Sequence, residues 1–179
     1  MRCFALFVLL CATSAAAQEI DRLQAARDFG FEGLKLSTPL AEFQRKYPNA
    51  QLNSSGCDKA ANVIEFIAQG KGASSHGAAI AAFCDGKLYT LQIIYLEEQL
   101  RKVGGDSVPF AKLAERFGPV SVPVTQNEKG TFAVWEFPEV NRRITCAAAI
   151  TGGCGVTATD TQIEAEVQRR KTKAADLGF

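Results

Sequence analysis

The feature that most constrains the fold is an internal repeat. Pro39, Leu40, Ala41, Phe43 and Tyr47 recur 70 residues later as Pro109, Phe110, Ala111, Leu113 and Phe117. In each copy the apolar residues fall at i, i+3 and i+7, the spacing of one helical face. Thr38 and Ser107 stand where N-caps belong, each close to a proline suited to an early helical position. Pro48 stops the first helix, and Gly118 with Pro119 stops the second.

Past those stops the offset becomes 71, and Ile64, Glu65 and Phe66 align with Trp135, Glu136 and Phe137 in segments that read as strands. A second strand follows in each copy, from about Ala78 to Cys84 and from about Arg142 to Ile150. The first comes after a glycine-rich loop and the second after a tighter connection at Glu139 to Asn141. For the third strand, Tyr89, Leu91, Ile93 and Tyr95 alternate with Leu88, Thr90, Gln92 and Ile94. In the second copy Ile163, Ala165 and Val167 alternate with Glu164, Glu166 and Gln168. The latter segment also fits a helix, because Ile163 and Val167 are four apart. Amphipathic turns at Ile20, Leu23 and Arg27, and at Glu97 to Val103, supply one more helix per copy.

The expectation is therefore an α+β fold of two tandem modules, residues 18–97 and 98–179. In each, two helices pack on one face of an antiparallel β-meander and the opposite face is left partly uncovered.

Residues 1–17 read as a cleaved secretory signal: Arg2, an apolar run from Cys3 to Cys11, then Ala15 and Ala17 as the cleavage signal before Gln18. That run is too short to span a bilayer. Lipidation at Cys11, as in bacterial lipoproteins, calls for a small residue before the cysteine, and Leu10 is bulky. Cleavage leaves 162 residues with 19 basic and 19 acidic side chains. A formally neutral chain has no global field to attract nucleic acid or anionic lipid. The compartment expected is periplasmic or secreted, in a bacterium.

Cys57, Cys84, Cys146 and Cys154 remain after cleavage, an even number in an oxidising compartment. Three pairings are open, and nearest-neighbour pairing, Cys57 with Cys84 and Cys146 with Cys154, is the expectation. A zinc site would need closely spaced cysteine pairs or nearby histidines. The cysteines are far apart, and the single histidine, His76, lies in the Gly70 to Gly77 stretch, which reads as an exposed loop.

No nucleophile with a base, paired carboxylates or phosphate-cradling loop stands out, so neither an enzyme nor a cofactor is expected. Gly70, Gly72 and Gly77 lack the strand-to-helix context of a nucleotide loop. Asp58 and Asp85 both follow cysteines, and turn capping accounts for them as well as chemistry does. The basic run Arg169, Arg170, Lys171 and Lys173 fits a solvated tail, with lipid head groups or an acidic partner as the alternative. Terminal Phe179 invites comparison with outer-membrane barrels, but two capped helices use too much of the chain for that.

Gly33, Leu34, Lys35, Leu36, Ser37, Thr38 and Pro39, the helix through Tyr47 and Pro48, and the echo at Phe117, Gly118 and Pro119 carry a resemblance. The arrangement resembles the beta-lactamase inhibitory proteins, secreted tandems of two helix-helix-sheet modules with an intradomain disulfide in each. It is also similar to the small outer-membrane assembly lipoproteins of the BamE kind. The likeness is architectural, and no inhibitor contact residue carries over.

What it implies is a non-enzymatic domain that binds another extracytoplasmic protein on an open sheet face, with an envelope assembly or stability factor as the alternative. Small-ligand binding stands behind both. Opposite-face residues would include Glu65, Thr90, Gln92, Phe132, Val134 and Glu136. Packing of the two sheets on each other would instead make Phe132 and Val134 core. Trp135 and Phe137 fall on the helix-facing side.

Overall fold

The computed structural model describes residues 18–31, 33–69, 77–105, 107–127, 130–149 and 153–177. Residues 1–17, with Cys11 and Ala17, and His76, Ile150 and Phe179 lie outside the described residues. The chain opens with helix α1 (18–27), the short pair β1 (Gly30–Phe31) and β2 (Leu34–Lys35), and α2 (Leu40–Lys46). Then come β3 (Gln51–Leu52), β4 (Val63–Gln69), β5 (Ala78–Cys84), β6 (Lys87–Tyr95), α3 (Glu97–Val103) and α4 (Ser107–Phe117). The remainder is β7 (Val122–Asn127), β8 (Gly130–Phe137), β9 (Arg142–Ala149), β10 (Cys154–Asp160) and α5 (Thr161–Asp176). The fold is α+β, as the periodicities predict.

Eight strands form one antiparallel sheet in the order β3-β4-β5-β6-β10-β9-β8-β7. The two meanders meet edge to edge rather than face to face: β10 pairs with β6 from Cys154↔Tyr95 to Thr159↔Thr90. This join removes one exposed edge from each half. The β5–β6 hairpin turns on Asp85 and Gly86, both at positive φ (50° and 74°). Two such residues match the right-handed twist of the flanking strands.

The helix-facing side holds two linked cores. Phe43 of α2 packs with Phe83, Leu88 and Leu91 in the first half. Leu113 and Phe117 of α4 pack with Trp135, Phe137 and Ile144 in the second. Burial along β8 has period two, Ala133, Trp135 and Phe137 buried and Phe132 and Glu136 exposed. Ala158 of β10 belongs to the first-half core, and Tyr95 packs against both.

Helix α1, expected to pack on the first module that it opens in sequence, packs on the second half instead. Ala26 is buried among Leu100, Phe117 and Trp135. Arg22 donates from Nε to the Phe117 carbonyl at 2.6 Å.

Three local expectations are corrected. Thr38 does not cap α2: its hydroxyl donates to the Lys35 carbonyl at 2.7 Å and accepts from the Lys35 N–H at 3.2 Å, and Pro39 occupies the N-cap position. The side chain is engaged in the preceding turn and cannot also serve the helix. Ser107 is the first residue of α4 rather than its cap.

The segment with Ile163, Ala165 and Val167 is helix α5, and the third strand of the second half is β10, which begins nine residues earlier than expected. The Asp160 carboxylate accepts the Ile163 N–H at 3.1 Å and starts the helix. Ile163 and Val167, one turn apart, then face the sheet together. The Gly118 stop does hold: φ of +72° suits glycine, and the Gly118 N–H donates to the Ala114 carbonyl at 2.8 Å.

Candidate functional site

Antiparallel register sorts the face away from α1–α4 into rows. One row runs Glu65, Ala82, Thr90, Thr159, Arg143, Glu136 across five strand pairs. The next runs Ile67, Ile80, Gln92, Thr157, Thr145, Val134, Val122. A third includes Ile94, Gly155, Ala147, Phe132 and Thr125. All six residues expected on the opposite face, Glu65, Thr90, Gln92, Phe132, Val134 and Glu136, thus lie on one side of one sheet. Trp135 and Phe137 are buried on the other side.

Helix α5 divides this face. Val167, 1% exposed, packs with Val63, Ala82, Cys84 and Tyr89. Arg143 of the first row donates from Nη2 to Glu164 at 2.5 and 2.6 Å. The first row therefore lies along α5, and Glu65 is further engaged as the acceptor of the Asn53 side-chain N–H.

The core cluster under α5 includes no residue of the second and third rows. There Phe132 and Val122 stay 36% and 42% exposed, and Leu96, which borders the same area just past β6, is more than half exposed. Gln92, Ile94, Leu96, Phe132 and Ala147 border a shallow groove of about 360 Å³. Gly155 keeps its floor open, because a Cβ there would stand 3.2 Å from the Gln92 amide nitrogen.

Arg170 clamps α5 to the sheet. Its guanidinium forks onto both carboxylate oxygens of Asp85 at 3.0 and 2.8 Å. Asn62 also donates to Asp85, at 2.7 Å. The Arg170 guanidinium, and then Asn62, hold the Asp85 carboxyl down at about 2. Arg169 and Arg170 likewise hold Glu166 at about 2. Burial pushes the Tyr89 hydroxyl, beneath α5, up to about 12.

Asp85 and Glu166 ionise more readily folded than unfolded, so their contribution is complete above about pH 4.5 and is lost as the pH falls towards 2. Of these two carboxylates, only Asp85 ties α5 to the sheet, since Glu166 pairs within the helix. Hydrogen exchange should therefore show α5 amides losing protection between about pH 4 and 2, ahead of β8 amides. Equal loss in α5 and β8 would show that the clamp does not govern docking.

Asp58 does cap its turn, accepting the Ala61 N–H at 2.9 Å. Beside it a larger groove of about 860 Å³ separates the turn from the end of α5. Lys59, Arg170, Lys171 and Lys173 line it together with Ala174 and Leu177. The basic run seen in sequence thus acquires Lys59 from a distant loop, a neighbour that no local pattern reports. Local pattern also missed β7, whose Val122 widens the apolar area beside Val134.

The four cysteines carry no S–S bond. Cys57 and Cys84 donate to different carbonyls, those of Asn53 (3.3 Å) and Ala61 (3.7 Å). The Cys146 and Cys154 sulfurs face each other at 3.4 Å. Among the described residues no cluster of three or more His, Cys, Asp or Glu could hold a metal ion. No helix among them is long and apolar enough to cross a membrane.

No protein-family model matches the chain, and no curated protein does. One solved structure with a detectable likeness is a cysteine-rich secretory protein from Staphylococcus aureus, 7% identical, with a TM-score of 0.43. The match covers 80% of this chain and 50% of that one, so this chain spans about half its length. At that score the likeness assigns neither family nor function.

Proposed function

We propose that the chain is an exported, non-enzymatic domain that binds another extracytoplasmic protein through the open part of its sheet. The observation that carries the reading is the pair of rows beyond α5, where Val122, Val134, Phe132 and Ile94 stand beside Thr157, Thr145 and Gln92. A contiguous apolar area rimmed by hydroxyl and amide groups suits a protein partner. Small ligands favour concave pockets that bury most of their surface, and the groove at Phe132 is shallow. Export rests on the Arg2 to Ala17 signal pattern. The resemblance to inhibitor-like tandem modules agrees with docking on a sheet and adds no contact residue.

The test is chemical crosslinking of the tagged chain in its own envelope and medium, beside a Phe132→Asp, Val134→Asp variant. One crosslinked protein is expected with the wild type, and its yield should fall at least about tenfold in a variant that still melts cooperatively. Crosslinks only between copies of the chain, or equal yield from the variant, would overturn the reading.

A second reading, a factor that stays with the envelope, is favoured by the groove at the end of α5. Its basic rim at Lys59, Lys171 and Lys173 adjoins Leu177, which is 63% exposed. Fractionating the same preparation separates the two: a freely released binder partitions with the medium or the soluble fraction, an envelope factor with membranes.

A further inference from the structure

We infer that Cys146 and Cys154 are the site of a disulfide that must form before α3 and α4 close over the second half of the sheet. This inference is independent of the binding reading.

The two cysteines flank one hairpin. Cys146 of β9 stands opposite Val156, and Cys154 of β10 opposite Ala148, so they are diagonal neighbours on the helix-facing side. Their sulfurs are 3.4 Å apart, against about 2.05 Å in a disulfide, so closure asks for a shift of little more than an ångström. Cys57 and Cys84, held by separate carbonyls, show no comparable approach.

Access sets the order of events. Cys146 is 0% exposed and Cys154 3%, in a core with Leu100 of α3 and Leu113 and Phe117 of α4. Oxidation is thiol–disulfide exchange with a donor disulfide. A thiolate attacks the donor sulfur and forms a mixed disulfide, and the second thiolate then displaces the donor. One S–S bond breaks in the donor and one forms in the protein. The two cysteines each give up a proton, and the donor leaves as two thiols.

Both attacks need a thiolate in reach of a bulky donor, and the closed core provides neither. The Cys154 thiol beside it, and burial, push the Cys146 thiol above the ordinary range. Once formed under the helices, the bond is shielded from reductants for the same reason.

The test uses the chain from Gln18 onward, purified reduced, with glutathione and glutathione disulfide as the probe. One sample is exposed to the couple while folded, the other during refolding from guanidinium. Trypsin leaves both cysteines in a single peptide, residues 144–169, while Cys57 and Cys84 fall in other peptides.

Refolding in the couple is expected to remove two hydrogens from peptide 144–169, with the folded sample oxidised more than about tenfold more slowly. Two intact thiols in that peptide after oxidative refolding, or linkage of either cysteine to Cys57 or Cys84, would overturn the site. Equal rates in the two samples would overturn the order of events.

Discussion

Replacing Trp135 by alanine is expected to lower unfolding free energy by about 3–5 kcal/mol, read as a shifted urea midpoint with an unchanged slope. Trp135 is 1% exposed on the helix-facing side of β8, with the Phe117 ring centroid 6.3 Å away. Its Nε1–H donates to the Gly118 carbonyl at 3.0 Å and ties the stop of α4 to the sheet. Alanine removes the ring, leaves a cavity between layers and deprives that carbonyl of its donor.

Domains commonly unfold with only about 5–15 kcal/mol, so this single change takes a large share. Phenylalanine restores most of the volume but not the N–H, and should cost about 1–2 kcal/mol.

Phe132 provides the comparison that bears on function. It lies three residues earlier and points to the opposite face, 36% exposed. Phe132→Asp should change stability by less than about 1 kcal/mol. A loss as large as that of Trp135→Ala would make Phe132 core and remove the open face from the argument.

The two faces of β8 were legible in sequence because period two is the strongest local signal a strand carries. Alternation alone separates Phe132, Val134 and Glu136 from Ala133, Trp135 and Phe137. The repeat placed α2, α4, β4 and β8 for the same reason: apolar spacing is local.

The errors fall where local pattern is silent or double. Ile163, Ala165 and Val167 satisfy alternation, while Ile163 and Val167 alone satisfy a helical stripe. A cap at Asp160 and i,i+4 pairing of Glu166 with Arg170 decide for the helix. The displaced strand, β10, spells Cys-Gly-Val-Thr-Ala-Thr-Asp, a weak apolar signal for a strand buried centrally between β6 and β9.

The join of β6 to β10 and the crossing of α1 to the second half depend on partners distant in sequence. An apolar stripe announces burial without naming what buries it. Coverage of the first row by α5 follows from the same displaced helix, so the six opposite-face residues were placed on the correct side without the division between them.

Asp160 is where the sheet passes into that helix, and its loss should rank with that of Trp135. One carboxylate oxygen accepts from Arg142 Nη1 at 2.6 Å, the other from the Ile163 N–H at 3.1 Å. The side chains of Arg142 and Asp160 are only 12% and 11% exposed. Asp160→Ala leaves the Arg142 guanidinium among half-buried strand residues without its counter-charge and removes the α5 cap. Breaking a buried pair costs about 3–5 kcal/mol, and losing a cap about 1 kcal/mol more, with overlap because one group serves both.

Asp160→Asn keeps an oxygen for the Ile163 N–H and loses the charge, so it should retain the cap contribution and little else. The two variants can be told apart beyond stability, because only the alanine frees the first turn of α5. Hydrogen exchange should then accelerate at Gln162, Ile163 and Glu164 in Asp160→Ala and remain near wild type in Asp160→Asn. With α5 loosened, the Arg143 to Glu164 bridge goes too, and the first sheet row joins the open face. Equal exchange in the two variants would show that Asp160 does not hold the first turn of α5 and acts only through Arg142.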